Sequence, residues 1–213
     1  MIEKGSCIVK KPSGRRSEFV VIFGYGSLLN QRTHRRPDIS IYPFRLTGWQ
    51  REWGHCVDSG GAGKVCALTI RPNRRAEVSG AFVVDLRANL RDLDEREQGY
   101  RRVRIFSRAR PSIPNIPANA TIFTYTSDPP EFRPGSREFP IWRSYLECVL
   151  AGFLDVGGKI AARDFVVTTR GWESPILDDR TAPKYMRATS LPAGIQTDVD
   201  ALIQEHGLER TQF

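Results

Sequence analysis

The sequence predicts an α+β domain in which helices pack on a mostly antiparallel sheet or small barrel. Three observations predict it. Short apolar runs with period-two alternation recur about six times, mostly joined by short turns. One segment, "WRSYLECVLAGFL", instead has the helical period. Strands and helices do not alternate strictly, which argues against a parallel sheet built from βαβ units.

Taken in chain order, "EFVVIF" (18–23) is short and β-branched, as a buried strand requires, and stops at Gly24. In "SIYPFRLTGW", Tyr42, Phe44 and Leu46 alternate, and Pro43 restricts the segment to an edge, a bulge or a strand start. Cys66, Leu68 and Ile70 alternate again, and 78–86, 100–109 and 120–127 read as three further strands. "SLLNQRTHRR" suits a short helix. Trp142, Tyr145, Leu146, Val149, Leu150 and Phe153 follow the i, i+3, i+4, i+7, i+8, i+11 spacing of an amphipathic helix. "RARPSIPNIPAN" and "SDPPEFRPGSREFP" read as proline-rich loops, the second long enough for a lid or binding loop.

At 213 residues, 40% hydrophobic and 26% charged, the chain has the size and composition of one soluble domain. We read 1–17 as a flexible basic tail and 18–213 as a single domain. No apolar run nears the roughly 18 residues of a membrane span, and the tail lacks the apolar core of a secretion signal. The expected location is cytoplasmic. The net charge of +8 comes from dispersed arginine pairs without a nucleic-acid module signature, so no nucleic-acid partner is expected. Cys7, Cys56, Cys66 and Cys148 form no CxxC pair and read as reduced structural thiols. His34, His55 and His206 lack zinc-ligand spacing, so neither a metal site nor a Ser-His-Asp triad is expected.

Two segments point to chemistry. In "FGYGSLLN" (23–30), glycines flank a tyrosine where a strand gives way to a helix. Gly24 and Gly26 permit unusual dihedrals and close approach of a ligand, and successive amides at a helix start would cradle an anion. A tight turn without a ligand explains the same residues. The GxGxxG dinucleotide pattern is not completed, because position 29 is Leu29. In "DLRANLRDLDEREQGY" (85–100), Asp85 can cap a helix whose apolar stripe is Leu86, Leu90 and Leu93. The next stripe position is Glu97, about 20° from Leu86 in projection, while Asp92, Asp94, Glu95 and Arg96 project toward water. A carboxylate aimed inward has a raised pKa and suits a general acid/base. Alternatively the helix ends at Arg96 and leaves Glu97 solvated in a turn.

"GYGSL" followed some 70 residues later by "LDEREQGY" resembles the gamma-glutamylcyclotransferase family, with ChaC-type enzymes and gamma-glutamylamine cyclotransferases as relatives. The resemblance runs over residues 19–126. It implies a small, mostly antiparallel β-barrel flanked by helices, with Tyr25, Gly26, Ser27 and Leu28 as the substrate loop, Glu97 as catalytic general acid/base and Tyr100 beside the substrate. Gln98 adds one residue between the glutamate and the glycine, and Asn30 and Gln31 stand where ChaC-type enzymes often carry an aromatic. The implied reaction releases 5-oxoproline from a γ-glutamyl small molecule, with no cofactor. A non-catalytic, metabolite- or partner-binding member of the same fold is the alternative. "TTRGWESPILDDRTAPKYMR" (168–187) reads as an ordered loop in which Tyr185 or Arg187 either closes over the substrate or braces the scaffold.

Overall fold

The computed structural model describes residues 19–34, 39–105 and 120–208. The expected tail and the loop 108–119 lie outside the described residues, apart from its neighbour Ala120 onward.

The first five strands form one sheet in the order β2-β3-β1-β5-β4. β1 (Phe19–Gly24) runs down its centre and is buried along its whole length, which explains its unbroken apolar run. It pairs antiparallel with β3 (Lys64–Leu86) and parallel with β5 (Ile122–Ser127). β4 (Tyr100–Ile105) closes the far edge against β5. β2 (Ser40–Asp58) forms the other edge, where Pro43 is tolerated because the missing donor removes no ladder bond between two inner strands.

The two separate strands expected at 66–70 and 78–86 are one strand of 23 residues. It pairs with β2 as a long ribbon whose register breaks between Thr47 and Trp49, opposite Glu77 and Pro72. Residues 73–76 bulge out there, and the far half of the ribbon folds over the sheet. That half meets the end of β5: Thr126 Oγ1 donates to the Ile70 carbonyl (2.6 Å) and the Ser127 amide to Thr69 Oγ1 (3.0 Å). The expected α+β class and mostly antiparallel sheet are observed, but the barrel is not closed. Among the described residues no ladder joins β2 to β4, and the curl is held by side chains instead.

The helix expected after β1 is two 3₁₀ turns, Ser27–Leu29 and Gln31–Thr33. A further 3₁₀ turn (Arg87–Asn89) leads into α1 (Leu90–Arg96). The expected 142–153 helix is the first half of α2 (Arg143–Thr168), which breaks at Gly157 and Gly158. Its first half is buried on nearly every side and is the central helix of the core. β6 (Ile141–Trp142) and β7 (Ile176–Leu177) form a small parallel pair beside it. α3 (Ala193–Glu205) covers α2 with Val199, Leu202 and Ile203. No described helix is long and apolar enough to cross a membrane.

Candidate active site

The loop that leaves β1 is clamped from three sides. Tyr25 is buried and its hydroxyl donates to the Tyr125 carbonyl (2.8 Å). Arg51 donates to the Tyr25 carbonyl (3.3 Å) from below. Asn30, fully buried, donates to the Cys148 carbonyl on α2 (2.9 Å) and accepts from the Arg32 amide (3.0 Å). α2 crosses this loop at Gly152, where an added Cβ would lie 2.7 Å from the Asn30 nitrogen, so any side chain there would push the helix off the loop. Residue 30 is therefore polar because it fastens two backbones.

Gly26 takes an irregular backbone conformation, φ −148° and ψ −132°. Neither Gly24 nor Gly26 has a positive φ. What Gly26 supplies is closeness: an added Cβ would lie 3.2 Å from Leu68 and 3.3 Å from the Tyr145 hydroxyl. The expected helix N-terminus is also absent, since one 3₁₀ turn of three residues carries no sizeable macrodipole. The amides of Ser27 and Leu28 nevertheless have no hydrogen-bond partner among the described residues.

Glu97 stands at the opposite wall. α1 ends at Arg96, and Glu97 is its C-cap, its amide donating to the Leu93 carbonyl (3.0 Å). Leu86 belongs to β3 rather than to the helix, and Asp85 does not cap it. Asp85 sits in the strand and accepts from the Leu86 amide (2.7 Å) and the Asn89 side chain (2.6 Å). The helix thus stops where the second sequence reading put its end, yet Glu97 is not solvated: only 14% of its side chain is exposed. Burial raises its pKa above the usual carboxylate range, against the opposing pull of Arg96 and Arg187.

Arg96, expected to face water, is the residue that sequence reasoning missed most plainly. Its side chain is 10% exposed and its Nε lies 3.1 Å from Glu97 Oε1. The same guanidinium donates to Thr33 Oγ1 (2.8 Å) and the Ser27 carbonyl (3.4 Å), so it ties the carboxylate to the loop. His34 completes this link. Its Nε2 donates to the Leu28 carbonyl (2.8 Å) and its Nδ1 accepts from Arg96 (3.4 Å), the tautomer that these partners assign. Burial and then Arg96 pull its pKa down to about 4, so it is neutral at pH 7.

Four tyrosines lie near enough to Glu97 for its charge to act on them. Tyr100 donates to the Leu68 carbonyl (2.7 Å) and its ring stacks on His55 at 3.7 Å. Tyr145 from α2 packs edge-on against Tyr185 (5.0 Å), and Tyr185 lies near Ser27. Burial first, and the Glu97 charge among further causes, raise the pKa of Tyr25, Tyr100, Tyr145 and Tyr185, the last to about 12. All four hydroxyls therefore stay protonated; those of Tyr25 and Tyr100 are committed to backbone carbonyls, and that of Tyr145 can donate to an anion or a developing oxyanion. The 168–187 segment is fastened by buried Asp179, which accepts from the Ser144 amide (2.7 Å) and hydroxyl (2.5 Å) and from the Lys184 amide (2.8 Å). It brings Tyr185 to the loop and Arg187 to the Arg96 carbonyl (3.5 Å).

The structure thus brings together Tyr25, Gly26, Ser27, Glu97 and Tyr100, and adds Arg96, Tyr145 and Tyr185. Leu28 is buried and packs away in the second core cluster with Val20 and Ile22, so only its backbone borders the site. A separate cleft of about 720 Å³ opens on the outer side of Arg96, lined by Arg32, His34, Leu93 and Arg187, with neither Tyr25 nor Glu97 in its wall. No group of three or more metal-ligating side chains occurs among the described residues.

No protein-family model matches the chain, and no curated protein matches it in sequence. Solved structures share its fold. A gamma-glutamyl cyclotransferase is similar over 86% of this chain and 99% of its own, with a TM-score of 0.57 and 17% identity. An uncharacterized protein from Homo sapiens is similar over the same shares, with a TM-score of 0.54 and 17% identity. The chain has the gamma-glutamyl cyclotransferase fold.

Proposed function

We propose that the protein is a gamma-glutamyl cyclotransferase: it closes the γ-glutamyl group of a small molecule into 5-oxoproline and expels the attached amine, amino acid or peptide. The observation that carries this reading is a largely buried carboxylate, Glu97, with raised proton affinity, near a glycine-bearing loop and four protonated tyrosines. In this reading the substrate's own α-amine is the nucleophile. It is protonated at neutral pH, and Glu97 removes that proton, then returns it to the departing nitrogen. The partnerless amides of Ser27 and Leu28 receive the substrate α-carboxylate, with Tyr25 and Gly26 shaping the approach. Tyr145 donates to the oxyanion that forms at the γ-carbonyl, and Tyr100, whose hydroxyl is held by the Leu68 carbonyl, walls the site with its ring. A folded substrate held between these walls brings amine and carbonyl together and saves orientation entropy. Ser27 lies beside Tyr185 and serves as a fixture, not a nucleophile.

The test is 5-oxoproline release, followed by mass spectrometry over a panel of γ-glutamyl amino acids, γ-glutamylamines and glutathione, with wild type beside Glu97→Gln. Turnover of at least one compound that vanishes in the variant supports the reading. A wild type that binds a panel compound in a thermal-shift assay and releases nothing would establish a binding module of the same fold instead.

A further inference from the structure

Cys56 and Cys66 face each other across the β2–β3 ribbon. The Cys56 amide donates outward to the Glu131 carbonyl (2.9 Å) and the Cys66 amide to the Pro140 carbonyl (2.8 Å). Two opposed residues whose amides both point away from the ribbon form a non-hydrogen-bonded pair. In such a pair the Cα atoms approach to about 4.5 Å with side chains on the same face. That separation lies at the near end of the range a disulfide spans. The two thiols lie near enough to influence each other's ionisation. Both are reduced and buried, 2% and 0% exposed.

We propose that Cys56 and Cys66 are a reversible dithiol/disulfide pair that exchanges with low-molecular-weight disulfides, Cys56 attacking first and Cys66 resolving. The roles follow from the surroundings. The Cys56 sulfur lies directly under the Arg133–Pro134 segment, 3.2 and 3.7 Å from its carbonyl oxygens, and opening that segment uncovers it beside the Arg133 charge, which favours its thiolate; burial disfavours the thiolate of Cys66. Their cover is thin: Arg133 and Pro134 lie over the thiols and are themselves exposed. That cover is held by the Arg133 amide on the Gly54 carbonyl (3.0 Å) and the Gly135 amide on Ser174 Oγ (3.2 Å). Breaking these two bonds and lifting Arg133 off the Phe139 ring (4.2 Å), with the segment still anchored at Glu131 and Pro140 by the cysteine amides, is a local opening that leaves the core folded.

The exchange balances without another reactant. The Cys56 thiolate attacks one sulfur of RSSR, forming a mixed disulfide and releasing RS⁻, which takes up the thiol proton of Cys56. Cys66, losing its proton, attacks the Cys56 sulfur and expels the second RS⁻, which takes up that proton. The sum is two protein thiols and RSSR giving one protein disulfide and two RSH. Cys148 is the internal control. It is a lone buried thiol whose pKa burial pushes up to about 12.

The experiment incubates the folded full chain with oxidised glutathione, quenches with an alkylating agent and maps cysteines by tryptic mass spectrometry. Lys64 lies between the two cysteines, so trypsin separates them unless a disulfide joins them. The expected result is a Cys56–Cys66 linked peptide in more than half of the chains, erased by dithiothreitol, with Cys148 unlinked. Cys66→Ser is expected to retain glutathione on Cys56, and Cys56→Ser to retain none on Cys66. Wild type that stays fully alkylatable, or that forms the link only in urea, would overturn the proposal, as would linkage through Cys7 or Cys148. The wild-type map decides even if a serine variant fails to fold.

Discussion

Glu97 and Arg51 are both charged side chains taken out of water near the Tyr25 loop, and their surroundings differ in kind. Arg51 is fully buried, and among the described residues no carboxylate forms an ion pair with it, although Asp164 lies near enough to favour its charge. Its charge is spread over the carbonyls of Tyr25, Ser79 and Phe165 and the hydroxyls of Thr168 and Thr169, at 2.7 to 3.3 Å. The rings of Phe153 and Phe165 lie 5.0 and 4.5 Å from its guanidinium. Burial pulls its pKa down only to about 9, so it stays charged at pH 7. Glu97 has one fixed partner, Arg96, and its proton affinity is raised. A charge saturated by fixed partners holds backbone in place. A charge held by one partner, facing neutral hydroxyls, keeps the capacity to exchange a proton.

The sharpest way to break this contrast is Glu97→Gln, which keeps the shape and removes the base. Turnover of 5-oxoproline is expected to fall by roughly 100- to 10,000-fold. Its stability should move the other way. A carboxyl whose pKa is raised by folding contributes stability below its unfolded pKa and loses that contribution as pH rises through the folded value. Glu97→Gln should therefore match wild type in acid and exceed it in thermal unfolding at pH 7 to 8. A variant less stable than wild type at pH 8 would contradict the assignment of burial as the dominant cause.

Arg51→Leu should invert that pattern. It leaves buried acceptors on three elements without a donor, which costs on the order of 3 kcal/mol, or roughly 10 °C in unfolding temperature. Unchanged stability would show that the guanidinium does not hold the Tyr25 carbonyl.

A smaller effect separates the histidines. Burial holds His55 neutral by pulling its pKa down to about 4. The unfolded chain takes up this proton near pH 6.5, so the contribution is present above pH 6.5 and is lost as pH falls toward 4. At pH 5 the loss is about 2 kcal/mol, and His55→Asn should flatten that part of a stability-versus-pH curve measured by urea unfolding. The smallest expected change comes from Arg96→Gln. Because Arg96 lowers the Glu97 pKa, its removal should move the acid limb of the kcat/KM profile to higher pH.

The sequence by itself determined what depends on neighbours along the chain. A short β-branched apolar run placed β1, alternation placed β4 and β5, Pro43 limited its strand to an edge, a bulge or a strand start, and the 142–153 spacing placed the first half of α2. The motif order marked Glu97 and the 25–28 loop, though periodicity alone left Glu97 between a buried and a solvated position. Tertiary structure decided the rest, because it depends on groups far apart in sequence. Glu97 is buried through Arg96, Tyr25 and Tyr100 rather than through helix phase, since α1 has already ended. Arg96 projects outward on an extended helix, but the chain turns at Glu97, and Thr33, 63 residues away, draws the guanidinium inward. Gly26 is small because α2 and β3 press on the loop, a contact that no local pattern announces. Cys56 and Cys66, ten positions apart with no motif between them, meet because the register of the folded ribbon makes them opposite. Short-range spacing sets which face a residue presents, whereas the groups waiting on the other side are set by how distant segments close over it.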